Sequence, residues 1–263
     1  MHITVLLPAA GAGRRYRAED EFGPSKLDED LGGRPVLQRA VELFAKDHRV
    51  GKIIVAGPFA DDALAEFKLR HADRLGLLGV ELVRGGETHR YETVAAALRH
   101  VPDETTHVAI HDAARPIAPP ELIERVFTAA ERHDAVIPAQ PVADTLKRAG
   151  GDVEAKAADP LADILGASSG PAPRSVAETV DRTELFAVQT PQVFEIGLLR
   201  RAYAQPDLSS TDDAQLIERL GETVVMVAGD ARNLKLTTPG DLPIIRSIGG
   251  FKTAEDRPTH KRF

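Results

Sequence analysis

The chain has 263 residues and a formal net charge of −7, the balance of 33 basic and 40 acidic residues. The acidic balance and an aromatic content of only 5% argue against a general nucleic-acid-binding surface, whereas a hydrophobic content of 43% is enough for a large buried core. Because the sequence contains no cysteine, disulfide bonds, thiolate metal sites and a cysteine nucleophile are excluded.

Patterns typical of strands and of helices alternate along the first half of the chain. Short runs rich in Val, Ile and Leu predict strands, and segments with apolar residues at helical spacing follow them. The alternation predicts an α/β fold with a mostly parallel, twisted sheet and helices on both of its faces. The predicted strands span residues 3–8, 52–56, 80–83, 107–111 and 135–139, and the predicted helices span residues 35–46, 61–74, 92–100 and 119–133.

The pattern changes after residue 140. Residues 141–148 are polar and extended, and residues 149–178 are rich in Ala, Gly, Ser, Pro and Asp, with one apolar patch at 161–165. This composition predicts an insertion or linker outside the core, which we expect to be dispensable for chemistry. Regular patterning then resumes, with an extended segment at 186–194, helices at 195–203 and 212–220, a strand at 223–227, a last helix begun by Thr238 and Pro239, and a polar tail at 251–263.

The sequence also bears on the compartment and on the partners of the protein. Its first residues lack the basic start of a signal peptide, and no apolar run approaches the roughly 20 residues of a membrane span. The lack of cysteine fits a reducing compartment. We therefore expect a cytoplasmic protein that binds neither membranes nor nucleic acid.

Residues 5–26 have the character of a phosphate-binding loop. A strand ends in a turn of small residues, which let backbone N–H groups approach a phosphate chain closely. A Walker loop is excluded by Arg14, and Tyr16 stands where a dinucleotide fingerprint needs its third glycine. The sequence therefore predicts a triphosphate cradle, with a plain glycine turn and solvated arginines as the alternative. The turn contains Ala9, Ala10, Gly11 and Gly13, and the cations that follow are Arg14, Arg15, Arg17 and Lys26.

Asp112 closes a predicted strand, and the carboxyl ends of strands face the crevice where α/β sheets bind ligands. Beside a triphosphate, its carboxylate suits Mg²⁺, which takes one or two carboxylates in addition to phosphate oxygens. A turn or helix cap is the alternative role. Arg115, three residues later, is more readily explained as the partner of a neighbouring acid than as an anion ligand.

Several further polar positions carry little weight alone. Gly86, Arg90 and Thr93 lie between a strand and a helix, where backbone N–H groups suit a nucleotide but ordinary turns are common. Thr145 and Arg182 lie in extended polar segments, and a surface ion pair is the simpler reading of Arg182. Lys235 alternates out of an apolar stretch, as a solvent-facing strand lysine would.

Taken together and in order, these motifs resemble a known family. PAAGAGRR, the downstream Lys26, IHDAARP, DTLKR, TVDR, TPQ and NLKLT follow the order found in the 2-C-methyl-D-erythritol 4-phosphate cytidylyltransferases of the non-mevalonate isoprenoid pathway, over roughly residues 3–248. The resemblance implies a Rossmann-like nucleotidyltransferase fold with an extended β-arm. It also implies transfer of CMP from CTP to a polyol phosphate, release of pyrophosphate, and a homodimer built through the arm.

The resemblance implies a role for each matching residue. Arg15, Lys26 and Lys235 would surround the triphosphate and stabilise the transition state, and Asp112 would bind Mg²⁺. Arg182 and Thr145, on the arm, would hold the acceptor of the facing subunit, with Arg115 and Thr190 nearby. The residues that would line the CTP site are Ala9, Ala10, Gly11, Gly13, Gly86, Arg90 and Thr93.

The chain departs from the family pattern in four places, one of which is Thr93, where serine is usual and the hydroxyl is kept. Ser25 separates Pro24 from Lys26 after a longer loop, and an extra residue after Gly86 leaves His89 or Arg90 as the matching base. The arm carries about twenty extra residues within 149–178. The implied organisation is one nucleotidyltransferase domain over residues 1–250, with residues 141–190 as the dimerisation arm and residues 251–263 as a tail.

Three alternatives to this function remain open at the level of sequence. A related enzyme that uses ribitol 5-phosphate would share the CTP chemistry and differ only in its acceptor pocket. A non-catalytic sugar-nucleotide-binding paralogue would bind CTP without turnover. A dinucleotide-binding oxidoreductase domain is disfavoured by the missing third glycine.

Overall fold

The structure is a computed structural model that describes residues 1–11, 13, 16, 25–153 and 173–252. By contact density the described chain divides into two compact units, one formed by residues 1–140 with the chain from residue 188 onward and the other by residues 141–187. The strands of the first unit are β1 (Ile3–Pro8), β2 (Val50–Gly57), β3 (Val80–Arg84), β4 (His107–Ile110), β5 (Ala135–Pro141), β9 (Gln192–Glu195) and β10 (Val225–Ala228). Its helices are α1 (Val36–Glu42), α2 (Asp61–Gly76), α3 (Arg90–Leu98), α4 (Pro120–Ala130), α5 (Ile196–Tyr203), α6 (Ala214–Glu218) and α7 (Asp241–Gly249).

The strands of the first unit form one sheet in the order β10-β5-β9-β4-β1-β2-β3. The pairs β1–β2, β1–β4, β2–β3 and β5–β10 are parallel, as the alternating strand and helix patterns predict. β9 is the exception, because it runs antiparallel to both of its neighbours, β4 and β5. Its first residue, Gln192, therefore lies opposite Ile110, at the carboxyl end of β4.

Helices cover both faces of this sheet, which confirms the predicted α/β architecture. Side chains alternate between the two faces along a strand, so Val5 and Leu7 of β1 enter one hydrophobic cluster and Leu6 enters the other. The first cluster includes residues of α1, α4 and α7, and the second includes residues of α3, α5 and α6. The three β1 side chains are fully buried, which explains why this strand reads as a continuous apolar run.

The second unit contains an antiparallel hairpin of β6 (Leu146–Asp152) and β7 (Arg174–Val180), and a short strand, β8 (Phe186–Val188), follows. Residues 149–152 and 174–178, assigned by their composition to an insertion or linker outside the core, form the ends of these paired strands, in agreement with the extended β-arm that the family resemblance implies. Most hairpin side chains are exposed on both faces, so the sequence lacks the alternation that marks a half-buried strand. The apolar patch predicted at 161–165 lies outside the described residues.

Three other segments of the first unit also differ from the sequence-based expectation. Residues 233–237, expected to be a strand, are in neither a helix nor a strand. α7 begins at Asp241 and not at Pro239, and its N-cap is Gly240, without a side-chain cap. The Asp241 carboxylate ties the preceding turn to the start of the helix. It accepts hydrogen bonds from the backbone N–H groups of Thr237 and Thr238, both at 2.8 Å. α3 starts two residues before the predicted Glu92, at Arg90.

Across the described part of the chain, none of the helices combines the length and the apolar character needed to span a membrane.

Candidate active site

Two cavities open along the carboxyl ends of the sheet strands, within the first unit. The larger, which we call cavity I, has a volume of about 570 Å³ and lies against the end of β1, the start of α3 and the segment after β4. Sheets of this type bind ligands at this edge. Among the residues that line cavity I are Ala9, Ala10, Gly11, Lys26, Gly86, Arg90, Thr93, Asp112 and Lys235.

The turn between β3 and α3 has no room for side chains at its two glycines. A Cβ on Gly86 would lie 2.3 Å from Cβ of Glu92 and 2.6 Å from the backbone nitrogen of Thr93. The turn is tied to the helix start, because the Gly86 N–H donates to Oγ1 of Thr93 at 3.2 Å. The Glu92 carboxylate also accepts from the N–H groups of Thr88 and His89, at 2.8 and 3.0 Å. Glycine at position 86 thus lets the backbone form one wall of cavity I.

Asp112 lies where the two cavities meet, and three cationic side chains surround its carboxylate. Nζ of Lys235 is 2.8 Å and Nε of Arg115 is 3.4 Å from Oδ2, while Nε of Arg90 is 3.5 Å from Oδ1. Burial alone would raise the pKa of Asp112, but the charges of Lys235, Arg90 and Arg115 outweigh it and hold the pKa well below its usual range. Asp112 is therefore an anion at neutral pH.

A chain of hydrogen bonds fixes the backbone around Asp112. The Asp112 N–H donates to Oγ1 of Thr190 at 3.0 Å, and that hydroxyl lies 3.2 Å from Nδ1 of His111. Nε2 of His111 is 3.0 Å from the carbonyl oxygen of Arg115. Burial lowers the pKa of the fully enclosed His111 to about 4, so the ring is neutral. Because a carbonyl only accepts, Nε2 carries the proton and Nδ1 accepts from Thr190.

The smaller cavity, cavity II, has a volume of about 450 Å³ and lies beyond Asp112 toward β9 and α6. Nη1 of Arg115 donates to the carbonyl oxygen of Asn233 at 2.7 Å, and Nδ2 of Asn233 donates to the carbonyl oxygen of Thr190 at 2.8 Å. These contacts fix the position of the Arg115 guanidinium at the wall of the cavity. The lining residues include Arg90, Asp112, Arg115, Gln189, Thr190, Gln192, Asp212, Gln215 and Lys235.

Arg90 connects Asp112 to a second, more deeply buried carboxylate. Its Nη1 donates to Oδ2 of Asp213 at 2.6 Å, and the hydroxyl of Tyr203 donates to Oδ1 of the same side chain at 2.5 Å. Burial and the nearby Asp213 raise the pKa of Tyr203, so its hydroxyl keeps its proton. For Arg90, burial would lower the pKa, but Asp213 and Asp112 together raise it.

The structure brings most of the predicted site residues together. Cavity I collects the predicted CTP-site residues that the structure describes, apart from Gly13, and Lys26 and Lys235 with them. Gly13 has a φ of 65°, a left-handed value that favours glycine, and the Lys26 ammonium is 3.4 Å from the carbonyl oxygen of Leu236. Arg115 and Thr190 line cavity II. Arg15 lies outside the described residues.

Thr145 and Arg182 belong to the second unit. Both are exposed, and Nη1 of Arg182 donates to the carbonyl oxygen of Ala143 in the same unit. Their predicted role toward the acceptor stays a prediction.

Sequence reasoning missed several residues of the site, namely His111, Gln189, Gln192, Tyr203, Asp212, Asp213 and Asn233. Three of them stand inside motifs of the family, since His111 lies in IHDAARP, Gln192 ends TPQ and Asn233 begins NLKLT. The adjacent acids Asp212 and Asp213 were a further signal, because paired carboxylates before a short helix invite a cap or an ion pair. Tyr203 gave no signal, because it reads as the last apolar residue of α5.

The donor groups of the site fit a metal ion that binds together with a phosphate ligand better than an ion held by the protein alone. Among residues 1–11, 13, 16, 25–153 and 173–252, no three His, Cys, Asp or Glu side chains form a group that could hold a metal. Asp112 offers one ionised carboxylate next to cavity I. That donor set fits Mg²⁺, which binds one or two carboxylates and takes its other ligands from phosphate oxygens and water.

Comparison with known proteins shows which family this chain resembles in sequence and in structure. The family model described as 2-C-methyl-D-erythritol 4-phosphate cytidylyltransferase matches residues 3–159 and 154–248. The enzyme of that name from Rhodococcus jostii is 40% identical over 247 residues, with 94% of each chain covered. A crystal structure of 4-diphosphocytidyl-2C-methyl-D-erythritol synthase superimposes with a TM-score of 0.69 at 30% identity, covering 94% of this chain and 97% of the other. The Thermus thermophilus cytidylyltransferase gives a TM-score of 0.67 at 29% identity, covering 95% of this chain and all of the other. The chain therefore belongs to the 2-C-methyl-D-erythritol 4-phosphate cytidylyltransferase family.

Proposed function

We propose that this protein transfers CMP from CTP to 2-C-methyl-D-erythritol 4-phosphate and releases pyrophosphate. The observation that carries the proposal is the position of Asp112, Lys235 and Arg90, which line both cavities at the point where they meet. Two substrates that react with each other need adjacent pockets and a shared set of charges at the reacting atoms. Family membership supplies the identity of the two substrates.

Cavity I suits the nucleotide. Its wall is built from the small-residue turn after β1 and from the glycine turn before α3, where backbone N–H groups and a helix start favour an anion. Lys26 and Lys235 supply positive charge to the same cavity. In the proposed arrangement, Arg15 adds a third cation to the triphosphate.

Cavity II suits the acceptor phosphate. Arg115 presents a guanidinium that is fixed by the Asn233 carbonyl, and Thr190 lines the same cavity. A guanidinium offers paired donors that match phosphate oxygens. Gln192 and Gln215 add polar groups suited to a polyol.

The proposed reaction is a direct displacement. An oxygen of the acceptor phosphate attacks the α-phosphorus of CTP, a new P–O bond forms, and the bond to the β-phosphate oxygen breaks, so that its electron pair leaves with pyrophosphate. The side chains of the site contribute position and charge rather than a covalent intermediate. Lys235 and Lys26 offset the negative charge that grows on the five-coordinate phosphorus.

Divalent-cation dependence is general in this family. We propose Mg²⁺ for this protein, with Asp112 as its protein ligand and the triphosphate oxygens as further ligands. A bound Mg²⁺ would neutralise phosphate charge. Asp112 suits this role because its low pKa keeps it ionised at the edge of cavity I.

We further propose that the protein is a homodimer joined through the second unit. In that arrangement Thr145 and Arg182 of one subunit bind the acceptor held by the other subunit. The exposure of both side chains is compatible with this role. The proposal rests on the family resemblance of the DTLKR and TVDR segments.

Pyrophosphate release tests the function directly. The purified protein is incubated with CTP, Mg²⁺ and one of a panel of polyol phosphates, and 2-C-methyl-D-erythritol 4-phosphate should give the highest kcat/KM. The control replaces CTP by ATP, GTP or UTP. Preference for ribitol 5-phosphate would assign the related enzyme instead, and CTP binding without turnover on any acceptor would assign the non-catalytic paralogue.

A further inference from the structure

The Arg90 guanidinium is shared unequally between two carboxylates. It gives Asp213 a short hydrogen bond of 2.6 Å through Nη1, whereas its Nε approaches Asp112 only to 3.5 Å. Asp213 is 1% exposed, so its charge is withdrawn from solvent. A buried carboxylate requires partners, and Arg90 and Tyr203 provide one for each of its oxygens.

We propose that Asp213, held by Tyr203, is a positioning residue that acts on the active site through Arg90. By taking the Nη1 donor, Asp213 turns the guanidinium so that only its Nε edge faces Asp112. Asp112 then keeps Oδ1 accessible to an incoming ligand while Lys235 and Arg115 meet Oδ2. The inference rests on the proposed function, because it assigns Asp213 to that site.

The physical reason lies in the geometry of arginine pairs. A guanidinium and a carboxylate that face each other freely tend to form a two-pronged pair with two parallel N–H···O bonds. Such a pair between Arg90 and Asp112 would engage both oxygens of the carboxylate that has to serve the substrates. Asp213 competes for the guanidinium: its short hydrogen bond takes Nη1, which excludes an end-on pair through both Nη groups, and it holds Nε at 3.5 Å from Asp112, beyond the distance of a side-on pair.

Asp213 is itself anchored to the strand that carries the other side of the site. Nε2 of Gln192 donates to Oδ2 of Asp212 at 2.7 Å, and Oε1 of Gln192 accepts from the N–H of Ala214 at 3.3 Å. Both neighbours of Asp213 are thus tied to β9, Asp212 through its side chain and Ala214 through its backbone N–H. Thr190, just before β9, accepts from the Asp112 N–H, so one strand sets the positions of both carboxylates.

A double-mutant cycle between Asp213 and Arg90 tests the proposal. Asp213→Asn should lower kcat/KM by at least about tenfold, mainly through kcat, and should have almost no further effect in an Arg90→Met background. Tyr203→Phe removes one donor with little change in volume, and should lower kcat severalfold in the wild type only. Denaturant unfolding of each variant gives the same cycle for the free energy of unfolding. If Asp213 had only a structural role, its replacement would lower the stability without coupling to Arg90 in kcat.

A crystal structure of Asp213→Asn gives a readout that does not depend on turnover. It should show Arg90 turned onto Asp112 with two hydrogen bonds. The matched control is Asp207→Asn, which removes an exposed carboxylate paired with Arg219 and should leave kcat unchanged.

The possible results separate the inference from the function on which it rests. Additive effects of Asp213→Asn and Arg90→Met, or an Arg90 that keeps its place in the Asp213→Asn crystal, would overturn the inference. The function and the inference can also fail separately. If the folded wild type turns over no acceptor but Arg90 turns onto Asp112 in the Asp213→Asn crystal, the proposed function is overturned and the positioning role of Asp213 stands.

Discussion

The ammonium group of Lys235 lies 2.8 Å from Oδ2 of Asp112, so the proposed triphosphate-binding cation and the proposed metal ligand are direct partners. Asp112 follows β4, whereas Lys235 comes from the irregular segment before α7. A backbone hydrogen bond of 2.8 Å from Leu236 to the carbonyl oxygen of Ala114 joins these two segments. The ion pair is therefore part of a fixed contact between them, and each partner can be tested alone.

Replacement of Asp112 by asparagine should abolish most activity while the fold persists. The change removes the negative charge but keeps the backbone N–H that donates to Thr190. We expect kcat/KM for pyrophosphate release to fall by at least about a hundredfold, equivalent to about 2.7 kcal/mol of transition-state stabilisation. Asp47→Asn is the matched control, since Asp47 is paired with Arg49 at the opposite edge of the sheet. Near-normal turnover of Asp112→Asn at saturating Mg²⁺ would remove Asp112 from the site.

Replacement of Lys26 or Lys235 by methionine should affect the transition state more than CTP binding. The positive charge of each lysine meets the extra negative charge that develops as phosphorus becomes five-coordinate. We expect kcat to fall by a larger factor than KM for CTP rises, in steady-state measurements of each variant. Lys52→Met provides a control, because Lys52 pairs with Glu81 away from both cavities. A raised KM with an intact kcat would assign the lysines to nucleotide binding alone.

Replacement of Arg182 by lysine should weaken binding of the acceptor and leave binding of CTP nearly unchanged. Lysine keeps the charge but loses the planar fork of donors that fits a phosphate. We expect a strongly raised KM for 2-C-methyl-D-erythritol 4-phosphate with a nearly unchanged KM for CTP. Arg174→Lys, a change at an exposed arginine of the same hairpin unit, should leave both values unchanged.

Mixing two inactive variants should restore activity if the active site is shared between subunits. Lys235→Met chains and Arg182→Ala chains are each expected to be inactive, but a heterodimer of the two contains one intact composite site. Subunit exchange is verified with differently tagged chains before pyrophosphate release is measured. Inactive mixtures in which exchange is demonstrated would show that each subunit is complete by itself.

Asp28 should stabilise the segment that carries Lys26, and this contribution should depend on pH. Oδ1 of Asp28 is 2.8 Å from Nε2 of the buried His71, and Oδ2 is 3.3 Å from Nε of Arg70. Burial would raise the pKa of Asp28, but His71 and Arg70 outweigh it and lower the pKa below its ordinary value of 3.8. The stabilisation is therefore present above pH 3.8 and is lost as the pH falls through the folded-state pKa.

Asp28→Asn tests this dependence. At neutral pH, denaturant unfolding should show a loss of about 1.5–3 kcal/mol, the range for hydrogen bonds to charged groups. The difference from the wild type should shrink as the pH falls below 3.8 and should vanish below the folded-state pKa, where both chains carry an uncharged group at this position. Asp73→Asn, at an exposed position of α2, the helix that carries Arg70 and His71, should show neither effect. A difference that stays constant with pH would mean that the charge of Asp28 does not stabilise the fold.

The segment between the hairpin strands should be replaceable by a short turn. The N–H of Val153 donates to the carbonyl oxygen of Pro173 at 2.8 Å, so the two ends of residues 154–172 are already adjacent. A variant with these residues replaced by a turn should keep pyrophosphate release and the oligomeric state of the wild type, measured by gel filtration. Loss of both would assign residues 154–172 to the subunit interface.

The sheet and the centre of the site were readable from the sequence for physical reasons. Buried strands such as β1 are continuous apolar runs, and the edge where they end is where α/β proteins bind ligands, so Asp112 and Gly86 were found by position. The hairpin strands β6 and β7 left no periodic pattern, because neither of their faces is buried, and only the family resemblance predicted a β-arm in this part of the chain. The start of α7 was misplaced because the Thr238–Pro239 pair is a common helix start, whereas here the N–H groups of Thr237 and Thr238 both donate to the Asp241 carboxylate and the helix begins two residues later than Pro239.

The partners of the site residues were hidden by their distance along the chain. Arg90 and Asp213 meet across the space between α3 and α6, and no local pattern around either residue records the other. Asn233 was read as part of a strand motif, although its side chain fixes the carbonyl of Thr190. Contacts of this kind follow from tertiary packing, which the periodicity of one segment does not encode.

The reversed direction of β9 has a consequence for how this fold can vary. Because β9 is antiparallel to β5, the chain leaves the sheet after Gln140 and re-enters it near Gln189 at the same edge, where the N–H of Gln189 donates to the carbonyl oxygen of Pro138 at 2.8 Å. The chain between these two points therefore begins and ends at adjacent positions of the sheet. Such a segment can be lengthened or shortened without altering the register of any strand of the sheet, so the proposed acceptor-binding and subunit contacts of the second unit could change while the proposed nucleotide site stays the same.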